Sequence, residues 1–379
     1  MDFDLDETQE MIVSGIQQFV KKECPPGSFR QYDERAECPI DLYRKLGLAG
    51  WLGLPIPKEY GGMGGSFVEV VLAIEQLATA MPALASLYFN SCVFGSRSLL
   101  MYGSEEQRQK YLPQIASGQM FVGLALTESD SGSDAASIRT RAVVQDGGFH
   151  ITGTKMFISA AELSDLLILV ARTSTQGKKE DGLTVFGVEK KTAGFETRRL
   201  KTLGRRSIPL NEVIIDAHVG KDAVIGDINQ GWRHLGKTLE GDRACVGAQY
   251  VGSSQSVISM LIRYLKEREQ FGKTLSSFQV LRHRIADMQA LVDSARLMVY
   301  RAAWLVNQRR KCRKEASMAK LAASETYVKL ASEGVHLMGA FGYTKESEME
   351  IHFRDSRAAT IGGGTSEIHR EIIARELFA

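Results

Sequence analysis

The repeat of apolar residues changes twice along this 379-residue chain, dividing it into helical, stranded and helical parts. From Glu7 to about Leu112 apolar side chains recur at helical spacing. Met11, Ile12, Ile16 and Phe19 share one side of a first helix, which Pro25-Pro26-Gly27 ends. Leu54-Pro55-Ile56-Pro57 and Gly61-Gly62-Met63-Gly64-Gly65 read as turns, while residues 67–81 and 86–102 read as buried helices. Near Phe121 alternation takes over: Ala142-Val143-Val144, Phe149-His150-Ile151, Leu166-Leu167-Ile168-Leu169-Val170 and Leu183-Thr184-Val185-Phe186-Gly187-Val188. After Gly231 the helical spacing returns, and four long helices are expected at about 232–268, 276–309, 314–340 and 365–376. The expected class is α+β and multidomain. An N-terminal α-helical domain (1–118) is followed by a middle β-barrel-like domain (119–226) and a C-terminal four-helix bundle (227–379).

Charge and cysteine content narrow the partners. Net charge is +2, which gives no footprint for nucleic acid or an anionic membrane surface. The run Arg309-Arg310-Lys311-Cys312-Arg313-Lys314 reads as a solvated turn between helices. Five scattered cysteines without a CxxC pair point to reduced thiols, and no metal site is expected. The acidic start Met1-Asp2-Phe3-Asp4 is unlike a signal or transit peptide, and no apolar run approaches the ~20 residues that span a bilayer. A cytoplasmic location is expected.

Two segments carry chemistry. Ala125-Leu126-Thr127-Glu128-Ser129-Asp130-Ser131-Gly132-Ser133-Asp134 is a strand end breaking into hydroxyls and carboxylates, suited to a planar hydrogen-bonding ligand. Arg354-Asp355-Ser356-Arg357 runs into Ile361-Gly362-Gly363-Gly364-Thr365-Ser366-Glu367-Ile368, a triple-glycine loop before a helix start, where free N–H groups favour phosphate. No GxGxxG follows an early strand, so a Rossmann site is not expected. Taken singly such turns are usually only turns. In this order, with Gly153-Thr154-Lys155-Met156-Phe157-Ile158-Ser159 and Arg268-Glu269-Gln270-Phe271-Gly272-Lys273 followed by Phe278-Gln279, the chain closely resembles the acyl-CoA dehydrogenase flavoproteins over its whole length.

The resemblance implies FAD held between the β domain and the C-terminal helices. It places Leu126, Thr127, Phe157, Ile158 and Ser159 against the isoalloxazine ring, and Ser133 at the pyrophosphate or the CoA arm. It has Arg268 and Gln279 reaching the FAD of a neighbouring subunit, with Phe271 at the adenine end and Gly339 allowing close backbone approach. Thr365 and Glu367 fall beside the ring and the adenosine part. His336 is either a flavin-contacting donor or a buried, satisfied histidine. A homotetramer, an acyl-CoA substrate and an electron-transfer flavoprotein as acceptor are implied with it.

The reaction that the resemblance implies needs a carboxylate to take the α-proton of an acyl thioester while the β-hydride passes to flavin N5. Many relatives place that base on the C-terminal loop. Here the position is Gly363, which keeps only a backbone N–H for the thioester oxygen. A second branch, including isovaleryl-CoA dehydrogenase, carries its base in a Glu-Arg pair on the helix after the β domain. The matching stretch is Leu239-Glu240-Gly241-Asp242-Arg243, which nominates Asp242, with Arg243 retained as a substrate contact. Aspartate loses roughly 1.5 Å of reach, one C–C bond, so the backbone moves in, the substrate sits differently or the proton comes from another carbon. Glu240 should face another side of the helix. Asn90, in the apolar helix around it, either lines an acyl pocket or hydrogen-bonds within the core. Three alternatives stay open: an acyl-carrier-protein dehydrogenase, an enoyl-CoA reductase, or a catalytically silent flavoprotein subunit.

Overall fold

The computed structural model describes residues 4–379, so the Met1-Asp2-Phe3 start lies outside the described residues. The N-terminal part is helical. α1 (Glu7–Glu23) opens on a capping box in which Asp6 accepts from the Gln9 N–H and the Gln9 side chain accepts from the Asp6 N–H. α2 (Ser28–Arg35) and α3 (Ile40–Leu48) come next. α4 (Phe67–Ala80) starts on a second capping box, Ser66 with Glu69. The helix expected at 86–102 begins earlier and has three parts: α5 (Pro82–Tyr88), a wide π turn over Phe89–Gly95, and α6 (Ser96–Tyr102). α7 (Glu105–Ala116) closes this part.

The middle part is one sheet. β1 (Val122–Ala125), β2 (Arg141–Gln145), β3 (Gly148–Ser159), β4 (Leu166–Arg172), β5 (Leu183–Glu189), β6 (Phe195–Leu200), β7 (Leu210–Gly220) and β8 (Val224–Ile225) are ordered β6-β7-β3-β2-β4-β5-β8, with β1 added parallel to β4. The expected barrel does not close. The ends of the path are β6, whose inner four residues are exposed, and β8, which is two residues long. No pairing joins these two ends among the described residues. β2 meets β4 through a single pair, Arg141 with Arg172.

α8 (Gly231–Glu267) runs 37 residues, about 55 Å at 1.5 Å per residue. A hairpin of β9 (Glu269–Gln270) and β10 (Lys273–Thr274) leads to α9 (Gln279–Asn307) and α10 (Arg313–Leu337). Between α10 and the final helix the structure adds α11 (Ala340–Tyr343) and α12 (Met349–Ser356), which the sequence pattern did not separate. α13 (Ser366–Phe378) packs along α10. α4 packs on both α8 and α9, so the N-terminal and C-terminal helices share one apolar core, and the sheet keeps a second one.

Candidate active site

Buried Glu128 shapes the first chemical segment. Its carboxylate accepts from the backbone N–H groups of Arg139 and Thr140, from the Thr140 hydroxyl and from Lys155 Nζ at 2.9 Å. Burial raises the Glu128 pKa, but Lys155 and these donors hold it below the usual value. Lys155, itself fully buried, also donates to the Leu126 carbonyl, so one ammonium pins the end of β1 to β3. The Met156 N–H donates to the Thr127 carbonyl at 2.8 Å. The register of β3 against β7 then slips between Lys155 and Ile158, where Phe157 takes a left-handed φ of 60° and stands 53% exposed. A half-exposed aromatic ring held in left-handed backbone is a strained arrangement of the sort found at ligand sites. Leu126, Thr127, Phe157, Ile158 and Ser159 are thus brought together, with the Thr127 and Ser159 side chains half-buried. Ser133 lies farther out, on the exposed turn.

The second segment is clamped from below. Lys320 of α10, fully buried, donates to the carbonyls of Ala359 and Gly364. Burial pushes its pKa down to about 8. His369 Nε2–H donates to the Gly363 carbonyl at 3.2 Å; burial, with Lys320 and Arg243 nearby, lowers this imidazole to about 3 and keeps it neutral. The loop's carbonyls are therefore engaged from the protein side. Gly363 and Gly364 both have positive φ, 68° and 95°. Thr365 caps α13 by accepting from the Ile368 N–H, and Glu367 sits exposed in the first turn.

α8 joins this loop to the nominated base. A Cβ at Gly363 would lie 3.8 Å from Val246, one helical turn beyond Asp242 on the same face. Loop-borne and helix-borne carboxylates would therefore project into neighbouring space. Asp242 is 1% exposed. Its Oδ1 accepts from Arg97 Nη1 at 2.6 Å, and its Oδ2 is buried without a hydrogen-bond partner among the described residues. Burial pushes its pKa up to about 6, against the pull of Arg97 and Arg243. The hydroxyl of Tyr88 is a second buried group without a partner, and it lies within electrostatic reach of the Cys245 thiol, as Asp242 does. Arg243 is half-buried and turned toward the α9–α10 connection, beside Arg313, Glu240 and Cys312. Glu240 points that way too, accepting from the Cys312 N–H at 3.4 Å. Asn90 is half-buried within the π turn, while its neighbour Ser91 is fully buried and accepts from Tyr43 and from the Val122 N–H.

Arg268, Phe271, Gln279, His336 and Gly339 do not join this group. They gather at the far end of α8, where Tyr264 donates to the Met338 carbonyl. All five are exposed, Phe271 at 92% with a left-handed φ of 55°. The alternative of a buried His336 is set aside. Arg97, Tyr88, Lys320 and His369 went unnoticed in the sequence. Arg97 and Lys320 carried a usable signal, each being a charge inside an otherwise apolar or small-residue helix face.

These features recur in known proteins. Models of the N-terminal, middle and C-terminal domains of acyl-CoA dehydrogenase match residues 6–119, 123–218 and 229–378. The chain is 35% identical, over the full length of both, to a probable acyl-CoA dehydrogenase of Bacillus subtilis (strain 168) called YngJ. It is 34% identical, over 97% of each, to the CarC subunit of the caffeyl-CoA reductase–Etf complex of Acetobacterium woodii. The solved FAD complex of PigA superposes with a TM-score of 0.93 at 26% identity, covering 100% of this chain and 99% of that one. The hydroxyls, bared ring and left-handed strand turn at Leu126–Thr127 and Phe157–Ser159 suit a flavin, and with three matching domains in order the chain belongs to the acyl-CoA dehydrogenase family of FAD-dependent oxidoreductases.

Proposed function

We propose that the protein dehydrogenates an acyl-CoA thioester between its α and β carbons, with Asp242 as the base. A single observation carries this reading: a buried carboxylate, one turn from the glycine loop, with one oxygen engaged and the other without a partner. The large majority of buried side-chain polar atoms have a partner, so the free oxygen calls for a reason. The Asp242 carboxylate takes the α-proton. The electron pair left on the α-carbon becomes the C=C bond as hydride leaves the β-carbon, so the products are an enoyl thioester, a protonated Asp242 and two reducing equivalents. When bound, FAD supplies the acceptor for that hydride. The Gly363 N–H donates to the thioester carbonyl as negative charge develops there. Arg243 and Ser133 hold the CoA portion, and Asn90 lines the acyl side.

The same residues serve the reverse reaction, and the relative named as a caffeyl-CoA reductase–Etf subunit supports an electron-transfer flavoprotein as redox partner. Positions 242 and 268 are 26 residues apart along α8 and its C-cap, about 39 Å along the helix axis. Arg268, Phe271 and Gln279 are thus assigned to the FAD of a neighbouring copy, within a homotetramer.

Anaerobic titration of the flavin absorbance with short, branched, aromatic and alicyclic acyl-CoAs tests the reading. Wild type should bleach with at least one of them. Asp242→Asn should stay yellow and still bind that thioester, with bleaching slowed by a factor on the order of 1,000 or more. Bleaching of Asp242→Asn at the wild-type rate would place the base elsewhere. A wild type that takes up FAD and never bleaches would favour a silent subunit.

A further inference from the structure

We propose that Arg97 is a positioning residue: by holding Oδ1 of Asp242 it turns Oδ2 toward the reacting carbon and keeps the buried carboxylate charged. This rests on Asp242 being the base and adds the device that lets so short a side chain serve. Nothing in the Asp-Arg dipeptide of α8 foretells it, because the partner comes from the N-terminal helices, 145 positions away.

The geometry is specific. Arg97 sits at the start of α6, directly after the π turn. A π turn inserts one residue and so rotates the next helical stretch by about 100° around the axis. That rotation aims Arg97 across the interface at α8. The guanidinium carbon lies 4.8 Å from the centroid of the Phe67 ring, which supports it from one face. On the α8 side, room for it exists because residue 241 is glycine. A Cβ there would lie 2.8 Å from Nη1 and 3.2 Å from Nη2 of Arg97. Arg97 is 17% exposed and Asp242 2% by side chain, so the pair is little screened by water. The charged and titratable groups within electrostatic reach of Asp242 are Arg97 from α6, and Arg243 and Cys245 from its own helix. Only Arg97 makes a hydrogen bond to it among the described residues.

An aspartate has one side-chain torsion fewer than glutamate, so a clamp on one oxygen leaves the other little freedom. The hydrogen bond thereby fixes where the second oxygen points, which a free carboxylate on a flexible arm would have to find at each turnover. Removing an opposite charge in direct contact moves a carboxyl pKa upward by about 1–3 pH units. Arg97 therefore governs both the direction and the charge of the base.

Three variants test this beside Asp242→Asn. Arg97→Met removes the clamp, Arg97→Lys keeps its charge, and Gly241→Ala displaces the guanidinium without touching either partner. The bleaching rate is measured against pH with a thioester that bleaches wild type. The acid limb should move up by about one pH unit or more in Arg97→Met, with a rate at pH 6 lowered about fivefold or more. Arg97→Lys should recover most of the shift, and Gly241→Ala should fall between. A readout that needs neither flavin nor turnover accompanies it: the change in thermal midpoint caused by Asp242→Asn across pH 4–8, measured once with Arg97 intact and once in the Arg97→Met background. Its inflection should lie at higher pH in the Arg97→Met background. An unmoved acid limb and inflection in Arg97→Met and Gly241→Ala, with Asp242→Asn inactive, would overturn the clamp while leaving the base standing. If Arg97→Met does not fold, Gly241→Ala and Arg97→Lys decide alone. Wild-type bleaching by Asp242→Asn would remove both the base and its clamp.

Discussion

Asp242 is a carboxylate held where water cannot solvate it, and that has a price in stability that depends on pH. Its folded pKa is raised to about 6, above the value of about 3.9 expected in the unfolded chain. The native state therefore binds the proton more tightly than the unfolded state between these values. Stability attributable to the group is complete below about pH 4 and is lost as pH rises through 6. Asp242→Asn should raise the thermal midpoint above pH 6, by about 3 kcal/mol of stability at most, and change little at pH 4. Equal midpoints at pH 7.5 would contradict the raised value. Gly363 gives a second test at this scale. Its nearest neighbour to an added Cβ is Val246 at 3.8 Å, so space remains for a loop-borne carboxylate. Asp242→Asn/Gly363→Glu should regain part of the lost bleaching, at a backbone cost of about 1–2 kcal/mol for a side chain at φ 68°. Bleaching no faster than that of Asp242→Asn alone would show that the loop does not reach the substrate. Of these residues, Asp242 and Gly363 were singled out through the resemblance to the family's ordered motifs. Arg97 stood out only as a charge within an apolar helix; its contact with Asp242, 145 positions away, leaves no mark on either stretch.

Among the elements, β3 and the α5–α6 helix depart most from regular geometry. β3 breaks its register at residues 155–158 and sets Phe157 at φ 60° with its ring bared. Such strain costs about 1–3 kcal/mol and persists where function needs it. Phe157→Gly should leave the stability of the flavin-free protein equal or slightly higher, and weaken FAD binding about tenfold or more in a fluorescence titration. Unchanged FAD affinity would remove Phe157 from the cofactor site. The long, apolar stretches of α4, β4 and β5 were legible because burial imposes their patterns. β6, Phe-Glu-Thr-Arg-Arg-Leu, was not, because exposure on both faces of its inner residues erases the alternation. The π turn hid for the opposite reason: its residues are mostly buried, and an all-apolar run does not tell one helical pitch from another.

The whole molecule has one core running through both helical parts, so Asp242 on α8 and Arg97 on α6 are set by the same packing. Large apolar side chains nonetheless remain outside it: Phe271 at 92%, Tyr343 at 85%, Val280 at 62% and Leu297 at 53% exposed, all on the hairpin, α9 and α11. These exposed apolar side chains are where the proposed contact with further copies would be made. Light scattering should report four copies of a 41.8 kDa chain, and a monomer would contradict the shared cofactor site. Arg268→Ala should keep its fold and lose FAD on dilution. That the barrel-like domain is an open sheet was not readable from sequence, because strand count and alternation do not reveal whether the end strands meet. The central claim is that Asp242 takes the proton next to the thioester. The most direct measurement is washout of the α-hydrogen of a bleaching acyl-CoA in D2O, followed anaerobically by mass spectrometry on the FAD-loaded protein. Asp242→Asn should slow that exchange by a factor on the order of 1,000 relative to wild type; exchange at the wild-type rate would contradict the account.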